Sequence, residues 1–190
     1  MRIAGGEWRG RILKSPDGDG VRPTQDRVRE ALFSMLLNEI HGTRFLDLFA
    51  GAGGVGLEAI SRGASECTFV ELAPRHLAIL RGNVSALAAD LRCTLVRADA
   101  FAWLGSFAGA PFDIAFADPP YELGAERGYA GMLEAMAANG VVRRGGLFIA
   151  EMKSRHAPEE SLGWELCRDR TYGQTRIAVY RRKTALDGVI

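Results

Sequence analysis

Short apolar runs alternate with helical patterns through most of this 190-residue chain, and this alternation restricts its fold more than any other feature. The predicted strands and helices follow one another at 43–49, 54–62, 67–71, 74–89, 93–97, 100–107, 112–117, 127–138 and 146–151. Strands that alternate with helices form a mostly parallel sheet covered on both faces. Two final runs, 163–170 and 175–182, flank a turn at Tyr172-Gly173-Gln174 and predict an antiparallel pair. We therefore expect an α/β fold with a seven-stranded, mostly parallel sheet.

The beginning of the chain predicts an extension of this fold. Residues 1–14 have the pattern of a short β-hairpin, and residues 15–23 are rich in turn formers. The apolar members and the turn glycines of the hairpin are Ile3, Ile12, Leu13, Gly5 and Gly6. Thr24 is predicted to cap a helix that runs to about Glu39. The predicted organisation is an extension over 1–23, one catalytic domain over 24–183 and a disordered tail over 184–190.

A glycine-rich segment joins the first strand to the next helix. Its spacing is Gly51-x-Gly53-x-x-Gly56, in which glycines let the backbone turn tightly and approach a ligand at a helix N-terminus. Proteins that bind nicotinamide, flavin or S-adenosylmethionine all use this spacing. Asp47 lies just before the glycines, where a carboxylate would repel a pyrophosphate but attract an ammonium and a sulfonium. The combination favours S-adenosylmethionine.

Acidic residues also follow the later strands. Glu71 ends the second strand and could accept hydrogen bonds from ribose hydroxyls, although a surface acid would give the same pattern. Asp99 follows the third strand, with Ala100 beside it, and could accept from an adenine amine or cap the next helix. Ligands of such sheets bind beyond the carboxyl ends of the strands. We expect Asp47, Glu71, Asp99 and Asp118 to converge at that edge.

The fourth strand ends in Asp118-Pro119-Pro120-Tyr121. Each proline fixes its own φ and lacks an N–H, and the first also restricts Asp118 to extended geometry. The turn is therefore stiff and presents a carboxylate, free carbonyls and an aromatic ring. We expect the Asp118 carboxylate and the Pro119 carbonyl to accept from a planar NH2 group, which frees its lone pair. Tyr121 would stack on the base that carries the amine.

These motifs, in this order, resemble the S-adenosylmethionine-dependent amino-methyltransferases of the Rossmann-like class, and the resemblance implies a Rossmann-like fold. Three further segments narrow the resemblance: Arg2–Arg11, Arg22-Pro23-Thr24-Gln25-Asp26-Arg27-Val28-Arg29-Glu30, and Tyr172-Gly173-Gln174-Thr175. Together they resemble the RsmD family, the bacterial 16S rRNA (guanine-N2)-methyltransferases, from Met1 to about Lys183. Ala52 and Gly54 stand where many members have Ser and Ala, so we expect one hydroxyl contact to the cofactor to be missing.

The resemblance implies a methyltransferase that modifies guanine N2 in small-subunit rRNA. It also implies that the enzyme recognises this rRNA within an assembled or assembling small subunit. Its catalytic segment would be Asp118 to Tyr121. Its cofactor residues would be Asp47, Gly51, Gly53, Gly56, Glu71, Asp99, Ala100 and Asp118. Another RNA, DNA adenine or a protein glutamine stays open as the acceptor. A non-catalytic RNA-binding assembly factor is the alternative of a different class.

Charge and composition agree with this interpretation without naming a substrate. The net charge is only +1, so bulk charge does not indicate nucleic acid binding; we expect the basic residues near the N-terminus to contact RNA phosphates, with an aromatic ring for stacking. These candidates are Arg2, Trp8, Arg9, Arg11, Arg22, Arg27 and Arg29.

The three cysteines and three histidines have no metal-ligand spacing, and no apolar run reaches the length of a membrane span. A cytoplasmic, monomeric protein with no metal is the expectation.

Overall fold

The computed structural model describes residues 1–16 and 23–184, except for the side chains of residues 23–25 and 121–127. Contacts within the chain divide it into two compact units, Met1–Asp99 and Ala100–Ile190. Most of the predicted 15–23 loop, including Arg22, lies outside the described residues, as does the predicted tail beyond residue 184. The division into an extension, a catalytic domain and a tail therefore stays a prediction.

The first unit contains three parallel strands and the helices that connect them. Its elements are α1 (Pro23–Met35), β1 (Arg44–Leu48), α2 (Gly54–Ser61), β2 (Glu66–Val70), α3 (Pro74–Ala86), a 3-10 turn (Asp90–Arg92) and β3 (Cys93–Val96). β1 pairs with β2 and β2 pairs with β3, both in parallel. The strands are short and apolar because both faces are buried: Phe45, Leu46 and Phe69 have no exposed surface.

The second unit contains four strands with mixed directions. Its elements are α4 (Ala100–Gly105), β4 (Phe112–Ala117), α5 (Tyr121–Ala138), β5 (Val142–Lys153), β6 (Trp164–Tyr172) and β7 (Thr175–Arg182). β4 and β5 are parallel, whereas β7 pairs antiparallel with both β5 and β6. The seven strands lie in the order β3-β2-β1-β4-β5-β7-β6. The predicted fold class and the antiparallel C-terminal pair are confirmed.

Several predicted boundaries are wrong. α1 begins at Pro23, so Thr24 lies inside the helix and does not cap it; proline suits the first helical position because its fixed φ is already helical. The helix ends at Met35 and not near Glu39. α5 begins at Tyr121, six residues earlier than predicted, directly after the two prolines. No helix in the part of the chain that the structure describes is both long and apolar enough to cross a bilayer.

The predicted N-terminal hairpin is reduced to one antiparallel bridge between Arg2 and Ile12. The Ile3 amide donates to the Arg11 carbonyl at 3.0 Å, and the Gly10 amide donates back to Ile3 at 2.9 Å. We call residues 1–14 the N-terminal arm. Ile3 and Leu13 form the buried inner face of this arm, and each of them is 1% exposed.

Candidate active site

The glycine loop leaves β1 through an unusual backbone. Phe49, directly after the strand, has a φ of 60°, a region that residues with a side chain rarely adopt. Gly51 and Gly53 have φ values of 55° and 85°, and Gly53 is the N-cap of α2. Such strain persists where the surrounding structure fixes it, as it does at ligand-binding loops.

The three motif glycines serve two purposes. A Cβ on Gly53 would lie 2.3 Å from the Leu80 Cδ1, and one on Gly56 would lie 2.3 Å from the Phe69 ring, so both are needed for close packing. Nothing lies within 4 Å of a Cβ built on Gly51. Gly51 is therefore the glycine of the motif that faces open space, where a ligand can approach the backbone.

Two buried carboxylates hold the ends of this loop. Asp47 is 2% exposed, and its Oδ2 accepts from the Gly56 amide at 2.9 Å. Glu71 accepts from the Gly51 amide at 2.7 Å through Oε2 and from the Ala73 amide at 2.7 Å through Oε1. The Asp47 carboxylate is thus buried and bound to the loop, and its predicted contact with the cofactor stays a prediction. Asp47 positions the glycines.

Asp99 and Ala100 follow β3 as predicted, with α4 beginning at Ala100. Asp99 is half-buried, and Ala100 is 3% exposed. Both assignments to the cofactor stay predictions.

A buried asparagine on α3, which the sequence analysis did not identify, ties the N-terminal arm to the glycine loop. The Asn83 Nδ2 donates to the Ala52 carbonyl at 2.9 Å and to the Lys14 carbonyl at 3.0 Å, while Oδ1 accepts from the Lys14 amide at 2.9 Å. The Met1 sulfur lies close to the loop as well, 2.4 Å from a Cβ built on Gly54. An asparagine in a helix interior, where its propensity is poor, was the one available signal.

The arm is also bound to α2 by a fully buried acid. Glu58 has no exposed surface and accepts from the Ala4 and Gly5 amides at 2.8 and 2.9 Å. The Arg62 Nε pairs with it at 2.7 Å and the Arg29 Nε at 3.5 Å. A buried carboxylate needs such partners, since an unpaired one is costly. The arm is therefore a fixed part of the first unit.

Two of the candidates for RNA binding are buried, and their contact with RNA stays a prediction. Trp8 is 6% exposed, and its ring lies beneath the Arg92 guanidinium at 4.7 Å. Arg29 is 7% exposed and pairs with Asp26 at 2.9 Å as well as with Glu58. The remaining described candidates are exposed; they are Arg2, Arg9, Arg11 and Arg27.

The Asp-Pro-Pro-Tyr segment forms the connection between β4 and α5 in the second unit. Pro119 is buried, and Pro120 is the N-cap of the helix with φ −49° and ψ 136°. Tyr121 is the first helical residue, and its side chain lies outside the described residues. Asp118 is exposed at the surface, but surrounding protein displaces much of its water, and this desolvation raises its pKa to about 6.

Asp118 has an acidic neighbour that the sequence analysis missed. Burial and the charge of Asp118 together raise the pKa of Glu151 to about 8. The buried Tyr129 hydroxyl donates to the Glu151 backbone carbonyl, and burial together with Asp118 raises the pKa of that phenol. The available signal was one acid in the apolar run of β5, which the strand pattern gave no reason to single out.

Comparisons with known proteins identify the family of this chain. The family model described as "Conserved hypothetical protein 95" matches residues 1–181. The chain is 37% identical to ribosomal RNA small subunit methyltransferase D of Escherichia coli K12, over 96% of this chain and 90% of that protein. It is 32% identical to the protein of the same name from Haemophilus influenzae, over 95% of this chain and 93% of that protein. The solved structure of yhhF from Escherichia coli, to which a methyltransferase activity is attributed, matches with a TM-score of 0.84 at 35% identity over 97% and 98%.

Proposed function

Since the chain belongs to the family of the small-subunit rRNA methyltransferases D, we propose that it methylates the exocyclic N2 of one guanine in 16S rRNA. S-adenosylmethionine is the proposed methyl donor. The observation that carries this proposal is the exposed Asp118 at the stiff turn after β4, in a chain whose β1 leads into a glycine loop. A methyltransferase of nucleobase amines needs both an acceptor for the amine, such as Asp118, and a loop that binds the methyl donor.

The glycine loop fits the proposed cofactor. Gly51 faces open space, and the N-terminus of α2 begins two residues after Ala52. Glu71 uses one lone pair of each oxygen for a backbone amide, and a carboxylate has about four acceptor sites, so it can also accept from ribose hydroxyls. Asp99 would accept from the adenine amine. When bound, S-adenosylmethionine supplies the methyl carbon on a sulfonium.

The residues after β4 would prepare the acceptor amine. The lone pair of a guanine amine is delocalised into its ring, which makes it a weak nucleophile. Hydrogen bonds from its two N–H groups to the Asp118 carboxylate and the Pro119 carbonyl would favour a tetrahedral nitrogen with a free lone pair. Stacking on Tyr121 would hold the base, and alignment of the reactants supplies much of the acceleration. A paired guanine must first be flipped or unpaired.

The exposed arginines of the first unit would hold the RNA backbone. Arg2, Arg9, Arg11 and Arg27 are exposed, and the arm that carries the first three is anchored by Glu58. Phosphate contacts position a nucleic acid without reading its sequence. We infer that a single copy of the chain acts on a partly or fully assembled small subunit.

A direct test uses small ribosomal subunits from cells in which the gene is deleted. Incubation with methyl-labelled S-adenosylmethionine should place one label in the 16S rRNA, and mass mapping should find it as N2-methylguanine at a single position. The Asp118→Ala protein is the negative control, and free 16S rRNA, DNA and total protein are the competing acceptors. Label in DNA or protein, or at another atom of the RNA, would contradict the proposal. A protein that binds S-adenosylmethionine but labels nothing would indicate an assembly factor.

A further inference from the structure

We propose that Glu151 is a second residue of the acceptor site, which donates a hydrogen bond to the ring nitrogen beside the target amine while Asp118 accepts from that amine. This inference rests on the proposed function, because it assumes that the acceptor is a nucleobase amine. In guanine the ring nitrogen would be N3.

The register of two parallel strands places the two carboxyls together. β4 and β5 pair from Ile114 with Leu147 to Ala117 with Ala150. Asp118 and Glu151 are the next positions on the two strands. Adjacent strands lie about 4.8 Å apart, and partners in register project to the same face. The two acids therefore leave the same edge side by side.

The backbone at Glu151 is fixed on both sides. The Tyr129 hydroxyl, from the buried inner part of α5, donates to the Glu151 carbonyl, and its ring lies 6.4 Å from that of Phe148. On the other side Glu151 pairs in register with Ile177 of β7. Its side chain thus starts from a rigid position, as a group that orients a substrate requires.

Electrostatic repulsion between Asp118 and Glu151 determines how many protons the two carboxyl groups bind. Two carboxylates at adjacent positions do not both ionise readily, so they lose their protons in two steps. The pKa of Asp118 is raised to about 6 and that of Glu151 to about 8. The pair therefore holds one proton at neutral pH, with Asp118 ionised and Glu151 neutral.

The other charged groups around Glu151 come from each neighbouring element. Asp118 faces it from β4 and Tyr129 from α5. On β7 the Arg176 guanidinium is bound by the Asp169 carboxylate at 2.7 and 2.8 Å and by the His156 carbonyl. Lys153 lies two residues further along β5. Asp118 is the acid whose charge raises the Glu151 pKa.

A pair that shares one proton presents a carboxylate acceptor beside a carboxylic acid donor. The amine of guanine is flanked by the N3 acceptor on one side and the N1–H donor on the other. The pair complements the amine together with N3, whereas two ionised carboxylates would repel the N3 lone pair. Ionisation of Glu151 should therefore weaken recognition of the base. The proton lost from the methylated nitrogen passes to Asp118 and from there to water.

The test compares variants at position 151 across pH. Wild-type kcat/KM for small ribosomal subunits should fall below about pH 6 and again above about pH 8, by up to tenfold per unit. Glu151→Gln keeps a donor at every pH, so its alkaline decline should disappear while the acid decline remains. Glu151→Ala should lose roughly tenfold or more in kcat/KM at pH 7. Glu160→Gln, an exposed neighbour on the loop before β6, is the matched control.

A second measurement needs neither RNA nor cofactor. Carboxyl carbon NMR should show Glu151 titrating near pH 8 in the free wild-type protein and at lower pH in Asp118→Asn. A Glu151→Gln enzyme with the wild-type alkaline decline would overturn the inference. So would a Glu151 titration that Asp118→Asn leaves unchanged. If the wild-type protein labels no small subunit, the proposed function fails, and the NMR titration still decides whether the two carboxyls form a pair.

Discussion

Asp118 and Glu71 are both acids at the end of a strand, but their surroundings give them different roles. Asp118 is exposed after β4. Glu71 is 8% exposed and binds two backbone amides. An accessible carboxylate can bind a substrate amine, whereas a buried one mainly fixes the loop that it holds.

Replacement of Asp118 should separate chemistry from cofactor binding. Asp118→Ala removes the acceptor for the amine, and we expect methyl transfer to fall by at least about 100-fold, as for loss of a charge-stabilising group in other enzymes. Binding of S-adenosylmethionine, measured by calorimetry, should be unchanged. Near-normal turnover by the variant would show that Asp118 does not prepare the amine.

The pH dependence of the reaction should follow the same group. Because desolvation raises the Asp118 pKa to about 6, the carboxylate is ionised above that pH and protonated below it. The ionised form accepts from the amine, so kcat/KM should decline as pH falls through about 6. A rate that is constant down to about pH 5 would contradict this assignment.

Replacement of Glu71 should act on the cofactor. Glu71→Ala releases the Gly51 and Ala73 amides, and we expect affinity for S-adenosylmethionine to fall about tenfold or more, since hydrogen bonds to a charged acceptor contribute roughly 1.5–3 kcal/mol each. Glu71→Gln keeps one acceptor oxygen and should have a smaller effect. Equal affinities of wild type and Glu71→Ala in calorimetry would remove Glu71 from the cofactor site.

The contact between the N-terminal arm and the glycine loop is made by one helix. α3 carries Asn83, which bonds the arm at Lys14 and the loop at Ala52. Because the arm carries three of the exposed arginines, its position and that of the loop are set by the same side chain.

Asn83→Ala should loosen both partners. The variant removes the hydrogen-bond partner of the Ala52 carbonyl and of the Lys14 amide and carbonyl. We expect a loss of about 2–3 kcal/mol in unfolding free energy and a weaker affinity for S-adenosylmethionine. Asn139→Ala removes one bond to the Leu104 carbonyl in the second unit and is the matched control. If both variants bind the cofactor equally well, Asn83 does not position the loop.

A kink divides α5 at Gly128, which has φ 65° and ψ 162°. The Glu159 carboxylate accepts from the Tyr129 and Ala130 amides at 3.2 and 2.7 Å and so caps the helical segment that follows. Glu159→Ala should lower the free energy of unfolding by about 1–2 kcal/mol. Chemical denaturation measures this, with the exposed Glu160→Ala as control. Equal stability of the two variants would exclude the capping role.

Charge is unevenly distributed along the whole chain. Residues 44–142 carry a net charge of −4 and residues 143–190 a net charge of +4. The acidic middle suits a cationic cofactor, while the basic segments can interact with phosphates. The net charge of +1 hides this distribution.

Salt dependence should identify the arginines that contact RNA. Replacing Arg9 and Arg11 with Gln should reduce the slope of log affinity against log salt by roughly one for each lost phosphate contact. Arg143→Gln, an exposed arginine that pairs with Asp113 at 2.5 Å, is the control. A slope unchanged in the double variant would place the RNA elsewhere.

The order of strands and helices, and the motifs at their ends, could be predicted from the sequence because they depend on local patterns. Alternation of apolar runs fixed the α/β class, the glycine spacing indicated the loop, and two prolines after β4 marked the turn at Asp118. The resemblance to one family then named the reaction. The start of α5 was predicted too late in the chain, because the helix begins at Tyr121, directly after Pro120.

Contacts between distant segments were decided only by the tertiary structure. Burial makes Asp47 a support of the loop, turns Trp8 and Arg29 away from solvent, and joins Asn83 to the arm 69 residues before it. The register of β4 and β5 places Glu151 beside Asp118. A sequence shows the residue types and their spacing, but the accessibility and pKa of a side chain depend on the atoms packed around it, and those atoms come from other parts of the chain.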